Sequence, residues 1–500
     1  MWGGAKSDGP GGPPPLERAI ELTDSVDWKP REKDLKSYPH FDGYRSAEDA
    51  SALACDRDAV ASHAFYPFIL VNTSWTKFAK KGQKGKVKIR PIRYACRSDA
   101  YIYTKYRHEL SPHYEAMLTS AGLDQSIIAY RRIEKTDSNK GKCNIDFAKE
   151  AFDEISKQKN CYVIALDISS FFETLDHHKI RSKWESLLGE QELPKDHEKV
   201  FKSITSYAVV DKIQAYEALG FYGKKRKDRA GNDIKGYLVP YKKIPMQLCT
   251  GSEFQEKIAS AGIIKKNFKP YGIPQGSPIS DLIANFYLFD FDKEIRNMTE
   301  ALGGRYFRYS DDILIVVPSE YANPNEIAKK SMELIKKEGK KIKIKPEKTS
   351  VIQYYIQNDK QYYAHIQGEQ GKNGLEYLGF RFDGNHAYIR NGTISNLRRK
   401  VKARARSDAK AWVTKNTHKT LDELLADFNY EIFLKKFRQV EDFENLHNSV
   451  RNWTFVTYAK RAAKVFSDSE HKIWHQIRKI KSLCSKAVKD EIIAEHSKLP

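Results

Sequence analysis

The sequence predicts an α+β fold, in which an antiparallel sheet backed by helices is followed by a region helical to its end. Three observations predict it. Tyr162-Val163-Ile164-Ala165-Leu166, Arg305-Tyr306-Phe307-Arg308 and Ile313-Leu314-Ile315-Val316-Val317 have the β-branched and aromatic content and the length of strands. The last two flank Tyr309-Ser310-Asp311-Asp312, which places two adjacent carboxylates at the tip of a hairpin. Beyond Asn396 the pattern turns helical, opening with Leu397-Arg398-Arg399-Lys400-Val401-Lys402-Ala403-Arg404-Ala405-Arg406.

Each further segment follows in chain order. Residues 1–15 are rich in Gly and Pro and are expected to be disordered, and residues 16–60 read as an N-terminal extension with helical spacing at Leu16, Ile20 and Leu22. Lys86-Val87-Lys88-Ile89-Arg90-Pro91-Ile92 reads as an edge strand stopped by its proline. The stretch 189–270, which holds Lys224-Lys225-Arg226-Lys227, exceeds what a minimal sheet domain needs and reads as an insertion. Residues 319–341 form a basic amphipathic helix with Ile327, Met332, Leu334 and Ile335 on or near one side, suited to backing the sheet. In the C-terminal region Arg398, Lys402 and Arg406 recur every four residues and line one helical face.

Composition narrows the functional classes. At 500 residues the chain is long enough for about three domains or subdomains, and its 40% apolar content supports ordinary cores. With 86 basic against 65 acidic side chains, the net charge of +21 favours a polyanionic partner. The six cysteines, at 55, 96, 143, 161, 249 and 484, are too widely spaced for a zinc pair and too few for a disulfide scaffold, which fits a reducing cytoplasm. No apolar run approaches the roughly 20 residues of a membrane span, and no apolar core follows the N-terminus as a signal peptide needs. A phosphate-cradling Gly-x-x-x-x-Gly-Lys-Ser/Thr segment is absent, which argues against an NTPase motor.

The chemistry concentrates in three carboxylates. Asp311 and Asp312 at a hairpin tip, joined by Asp167 at the end of a neighbouring apolar strand, make a two-metal site of hard oxygen ligands. Asp176-His177-His178 invites a metal reading too, but Asp176 fits a helix N-cap better and the histidines lack an acidic or cysteine partner nearby.

In order, the strand ending in Asp167, Gly272-Ile273-Pro274-Gln275-Gly276-Ser277-Pro278-Ile279-Ser280 with Asn285, the Asp-Asp hairpin, Lys348-Thr349 and Leu375-Glu376-Tyr377-Leu378-Gly379-Phe380 resemble the motif series of the reverse transcriptase palm. The resemblance covers residues 60–400. It implies a right-hand polymerase, with fingers at 61–160, a palm at 161–385 interrupted by 189–270, and a helical thumb and C-terminal region at 386–500. It implies two Mg²⁺ ions, roughly 3.5–4 Å apart, held by Asp167, Asp311 and Asp312, with Ile168 offering its backbone carbonyl. Phe172, five residues after Asp167, resembles the aromatic beneath the incoming sugar, whose ring excludes a 2′-hydroxyl and selects dNTPs; Phe171 beside it reads as core. Gln275 and Gly276 resemble the segment lying against the nascent base pair. Lys88 and Arg90 resemble the fingers cations on the triphosphate, and Lys348 the lysine near the leaving pyrophosphate. Arg398, Lys402 and Arg406 would track duplex phosphates.

Within that family, the helical region after residue 396 does not suggest an RNase H domain, and no zinc-bound nuclease cluster is present. Retron enzymes usually carry Tyr-Ala-Asp-Asp where this chain has Tyr-Ser-Asp-Asp, and their Asn-Ala-x-x-His and Val-Thr-Gly segments are missing. The short single C-terminal region excludes the intron maturases. His63-Ala64-Phe65-Tyr66-Pro67-Phe68, Ile127-Ile128-Ala129-Tyr130-Arg131-Arg132-Ile133 and Trp453-Thr454-Phe455-Val456-Thr457-Tyr458-Ala459-Lys460-Arg461-Ala462 are similar to bacterial defence-associated, abortive-infection-like reverse transcriptases of the unknown group. That likeness implies a cytoplasmic antiphage enzyme with a noncoding RNA as template or scaffold and a DNA product. It extends to a homo-oligomer assembled with RNA and to membership of the class that makes homopolymeric cDNA. Two other readings stand beside it: untemplated terminal extension, and an RNA-binding scaffold or toxin with incidental polymerisation.

Overall fold

The computed structural model describes residues 28–76, 85, 87–136, 138–228, 231–368, 372–438 and 454–499. The expected disordered tail 1–15, residues 16–27 of the extension, Lys86 and Trp453 lie outside the described residues. The chain divides into two units, one formed by Met1–Met117 and Leu175–Ile283, the other by Leu118–Thr174 and Ala284–Pro500.

The first unit is built on a four-stranded sheet in the order Val87–Tyr94, Phe68–Thr76, Ala208–Asp211, Lys265–Lys266. Phe68–Thr76 pairs antiparallel with Val87–Tyr94, matching Asn72 to Pro91, and parallel with Ala208–Asp211, matching Ile69 to Val210. The strand expected to stop at Pro91 runs on to Tyr94. It is the outermost strand, where alternate N–H groups lie outside the ladder and proline forfeits nothing.

Residues 189–270 are no appendage to this unit. They supply Val210, Ala215, Tyr216, Ile244, Leu248, Phe254 and Ile258 to a core shared with Phe41 and Ile69. Their basic run occupies an exposed hairpin, Tyr222–Lys227 against Asp233–Tyr237, pinned by Lys224–Asp233 at 2.6 Å. The extension is tied in by a buried arginine. Arg97 donates to the carbonyls of Asp42, Tyr38 and Met246 at 2.6, 2.6 and 3.1 Å, and Asp42 also accepts from the Ser98 backbone at 2.8 Å.

The second unit contains the antiparallel sheet that the apolar runs predicted. Its order is Arg305–Tyr309, Asp312–Pro318, Cys161–Asp167, Ser350–Gln357, Lys360–Gln367. Val163, Leu314, Val316 and Ile352 pack with Ile145, Ala148, Phe152 and Ile155 of the helix Asn144–Gln158. The alternate residues Ile164, Leu166, Ile313 and Ile315 are buried as well, so both faces are covered. The basic helix predicted over 319–341 forms as Pro324–Lys337 and packs on the Asp167 strand. Asn323 caps it and Pro324 opens it, a combination that fixes the start later than apolar spacing alone indicates. Ile327, Leu334 and Ile335 are buried in it, whereas Met332 is half-buried.

Leu375–Tyr377, Phe380–Phe382 and Ala387–Ile389 form a separate three-stranded sheet. Its first turn is Leu378-Gly379, both at positive φ (+46° and +93°), the geometry of a two-residue hairpin loop. The helix Asn391–Lys415 buries Leu397, Val401, Ala405, Ala409 and Val413, a stripe every four residues, against the helix Ile480–His496.

Candidate active site

Register, not proximity in sequence, assembles the carboxylates. Asp312–Pro318 pairs antiparallel with Cys161–Asp167, and the final matched pair is Asp312 with Asp167. Directly opposed residues on an antiparallel pair project from the same side. Asp311 precedes Asp312 in the two-residue loop Ser310-Asp311, and its carbonyl accepts the Ile168 N–H at 3.1 Å.

The loop needs a left-handed residue, and Ser310 supplies it at φ +60°. A non-glycine residue there costs about 1–2 kcal/mol, so its surroundings must hold it. Ser310 is buried; its hydroxyl accepts from the Tyr130 hydroxyl at 3.1 Å and its carbonyl from Arg308 at 3.2 Å. Arg308 is itself fully buried and grips Asp292 through two bonds of 2.7 and 2.6 Å. It also donates to Asn285 Oδ1 at 3.3 Å and to the Asn285 carbonyl at 3.2 Å. Tyr306 donates to Asp292 at 2.7 Å, and Asn285 to the Ala129 carbonyl at 2.8 Å. A buried polar brace thus stands directly behind the acidic turn. Neither Asp292 nor the contact of Tyr130 with Ser310 is foreseen from sequence; the available signal is Arg308, a charge inside an apolar strand.

The electrostatics are those of crowded negative charge. Burial, then Asp311 and Asp167, push the Asp312 carboxyl up to about 7 against the pull of Arg390 and Lys348. Asp312 is the exposed residue of its otherwise buried strand, so water offsets much of the burial contribution and the two carboxylates are the durable cause. Lys348, expected beside the leaving pyrophosphate, seats its ammonium on Asp167 Oδ1. The turn Pro346–Lys348 delivers it there. Among the described residues, no three His, Cys, Asp or Glu side chains converge as a metal-holding group. The donors nevertheless fit hard cations: all are carboxylates, their repulsion raises one of them toward neutrality, and a cation already rests on another.

Phe172 lies in the turn Phe171–Glu173, half-buried, with its ring centroid 5.8 Å from that of Phe171. Phe171 is buried, as a core residue should be. Asp176 caps the helix His177–Leu188, accepting from the Lys179 N–H at 3.1 Å, and His177 bonds the Gly272 carbonyl at 2.8 Å.

The remaining nucleotide-binding candidates belong to the first unit. Lys88 and Arg90 are exposed two residues apart on the edge strand and share a face. Gln275 is held against that strand, its carbonyl accepting from Arg93 N–H at 2.8 Å. Gly276 has φ +117°, and a Cβ there would come within 2.5 Å of the Arg93 carbonyl, so only glycine allows this close approach. Arg398, Lys402 and Arg406 are exposed in the second unit on the helix Asn391–Lys415, away from its buried stripe. Arg406 is paired with Glu491 at 3.4 Å, an exposed contact of small net worth.

An antiparallel sheet bearing three carboxylates at adjoining strand ends, with helical cover and a helical C-terminal region, is a right-hand polymerase fold. Residues 241–382 match the family model described as reverse transcriptase (RNA-dependent DNA polymerase). A comparison with curated proteins finds no match. Among solved structures, the chain is similar to an apo telomerase from Candida tropicalis truncated from its C-terminal domain. That pair shares 12% identity over 64% of this chain and 54% of the other, with a TM-score of 0.36. The apo telomerase from Candida tropicalis aligns at 14% identity over 85% and 65%, TM-score 0.35. A telomerase from Candida albicans, solved with the TWJ fragment of telomeric RNA, aligns at 10% over 88% and 65%, TM-score 0.32. The chain thus spans 54–65% of the length of these structures. No described helix is long and apolar enough to cross a membrane.

Proposed function

We propose that the protein copies an associated noncoding RNA into DNA by two-metal nucleotidyl transfer. The observation that carries this reading is the pairing of Asp312 with Asp167 across adjoining strands, with Asp311 beside them in the turn. Asp167, Asp311 and Asp312, with the Ile168 carbonyl, would hold two Mg²⁺ ions. The chemistry these supply when bound is a more acidic primer 3′-hydroxyl and a neutralised pyrophosphate leaving group. Lys348 balances Asp167 before the ions arrive and is then free to turn to phosphate oxygens. Phe172 bars the 2′-hydroxyl of an incoming nucleotide, which selects dNTPs. Lys88 and Arg90 neutralise the triphosphate, Gln275 and Gly276 bring backbone against the base pair, and Arg398, Lys402 and Arg406 follow duplex phosphates.

Resemblance of the segments at 63–68, 127–133 and 453–462 to defence-associated reverse transcriptases supports a cytoplasmic antiphage role, with RNA as template or scaffold and as the centre of a homo-oligomer. Homopolymeric cDNA is the product that the same likeness favours.

The test is to sequence the nucleic acids that copurify with the protein from its native operon, wild type beside Asp311→Asn. One dominant small RNA in both, with complementary or repetitive cDNA only in wild type, is the expected result. RNA without Asp311-dependent cDNA refutes the polymerase reading.

A further inference from the structure

Seven residues ahead of Gln275, Phe268 is 87% exposed. Leaving such a ring in water forgoes about 1.5–3 kcal/mol of burial, which a loose loop would readily recover by folding inward. This loop is not loose. The Asn267 backbone donates to the Tyr207 carbonyl at 2.8 Å, and its side-chain amide donates to the carbonyls of Thr205, Tyr271 and Gly272 at 3.0, 3.3 and 3.4 Å. Asn267 Oδ1 accepts the Lys269 N–H at 3.4 Å. Just beyond, the Pro270 carbonyl accepts from His177 N–H at 3.0 Å and the Gly272 N–H donates to the Leu175 carbonyl at 2.7 Å. The backbone is bonded on both sides of Phe268 while the ring faces water.

Its surroundings are cationic. Lys265 and Lys266 are exposed on the edge strand at the opposite side of the sheet from Val87–Tyr94, and Lys269 is exposed with its ammonium 5.7 Å from the Tyr271 ring centroid. Among the described residues none of the three lysines is in an ion pair with a carboxylate. An apolar peptide would bury the ring but leave three ammonium groups unanswered. A strand of stacked bases on a phosphate chain satisfies both.

We propose that Phe268 is a stacking platform for a base of the single-stranded RNA template, with Lys265, Lys266 and Lys269 binding its phosphates. The assignment of the strand as template rests on the polymerase reading above, since the platform leads directly into the segment carrying Gln275 and Gly276.

The test measures equilibrium binding of full-length protein to a labelled single-stranded RNA of about ten nucleotides. Phe268→Ala should weaken binding about 5- to 150-fold, the equivalent of about 1–3 kcal/mol for one stacked base. Phe268→Trp should restore it. Replacing Lys265, Lys266 and Lys269 together with Gln should reduce the log–log salt slope by about 2, at about 0.7 per phosphate on a single strand. Binding to a blunt RNA duplex, which offers no free base face, should be unchanged by Phe268→Ala, as should the thermal unfolding midpoint. Wild-type affinity of Phe268→Ala for the single strand overturns the proposal, and so does equal loss on duplex, the mark of a structural effect. A loss confined to single-stranded DNA overturns the choice of RNA. Because this readout requires no synthesis, it stands apart from failure of the polymerase reading, which shows as absent Asp311-dependent cDNA.

Discussion

Asp292→Ala tests whether the buried brace behind the acidic turn holds the site. Arg308 and Asp292 are both wholly buried and joined by two short bonds, so the alanine leaves a guanidinium that cannot lose its proton without its counter-charge. It also strands the Tyr306 hydroxyl. Breaking one side of a buried pair costs about 3–5 kcal/mol, a large part of the roughly 5–15 kcal/mol that holds a domain folded. At about 2–4 °C per kcal/mol for a unit of this size, calorimetry should show the unfolding midpoint of the second unit falling by about 6–20 °C. The double variant Asp292→Leu, Arg308→Met removes both charges and should recover most of that loss. It cannot recover the bond from Arg308 to the Ser310 carbonyl, so dNTP incorporation at a temperature where it is fully folded should stay well below wild type. An unshifted midpoint in Asp292→Ala, or full incorporation by the double variant, would refute the reasoning.

Phe172→Ala should raise ribonucleotide incorporation relative to dNTP, measured by primer extension; unchanged discrimination would mean that another residue reads the sugar. Reversing Arg398, Lys402 and Arg406 to Glu should weaken duplex binding and flatten its salt dependence by roughly 0.7–0.9 in log–log slope per lost phosphate contact, with Arg406 contributing least because Glu491 already engages it. In the first unit, burial alone would raise the Glu109 carboxyl, but contacts with His197 and Lys105 hold it at about 2, below its ordinary 4.5. A lowered folded value means stability that is present above pH 4.5 and lost as pH falls toward 2, about 3 kcal/mol in all. Urea titrations should show this acid limb in wild type and a flatter one in Glu109→Gln.

Much of the site was legible because its signals are local. Apolar runs of strand length end at Asp167 and bracket Asp311-Asp312, and a turn that tight between such runs has to be a hairpin. Asp176 was readable as a cap because capping is decided within one helical turn. Lys348 was legible as a cation near the chemistry but not as the partner of Asp167, a contact closed across 181 residues. Asp292 looked like any acidic residue of a surface helix, since nothing nearby in sequence reveals that its side chain points inward to Arg308. Pro91 misled because the segment, read as an edge strand, was expected to stop there, whereas at an edge the N–H that proline lacks can lie outside the ladder and the strand runs on to Tyr94.

By itself the sequence determined the elements, the carboxylates at their ends and the basic character that calls for a polyanion, all of which follow from side-chain period and composition. The tertiary structure alone decided that Asp312 stands opposite Asp167, that Arg308 and Asp292 brace the turn, and that residues 189–270 supply the core of the first unit. Those outcomes depend on strand register and on burial between distant segments, where a shift of one residue would turn every side chain to the other face.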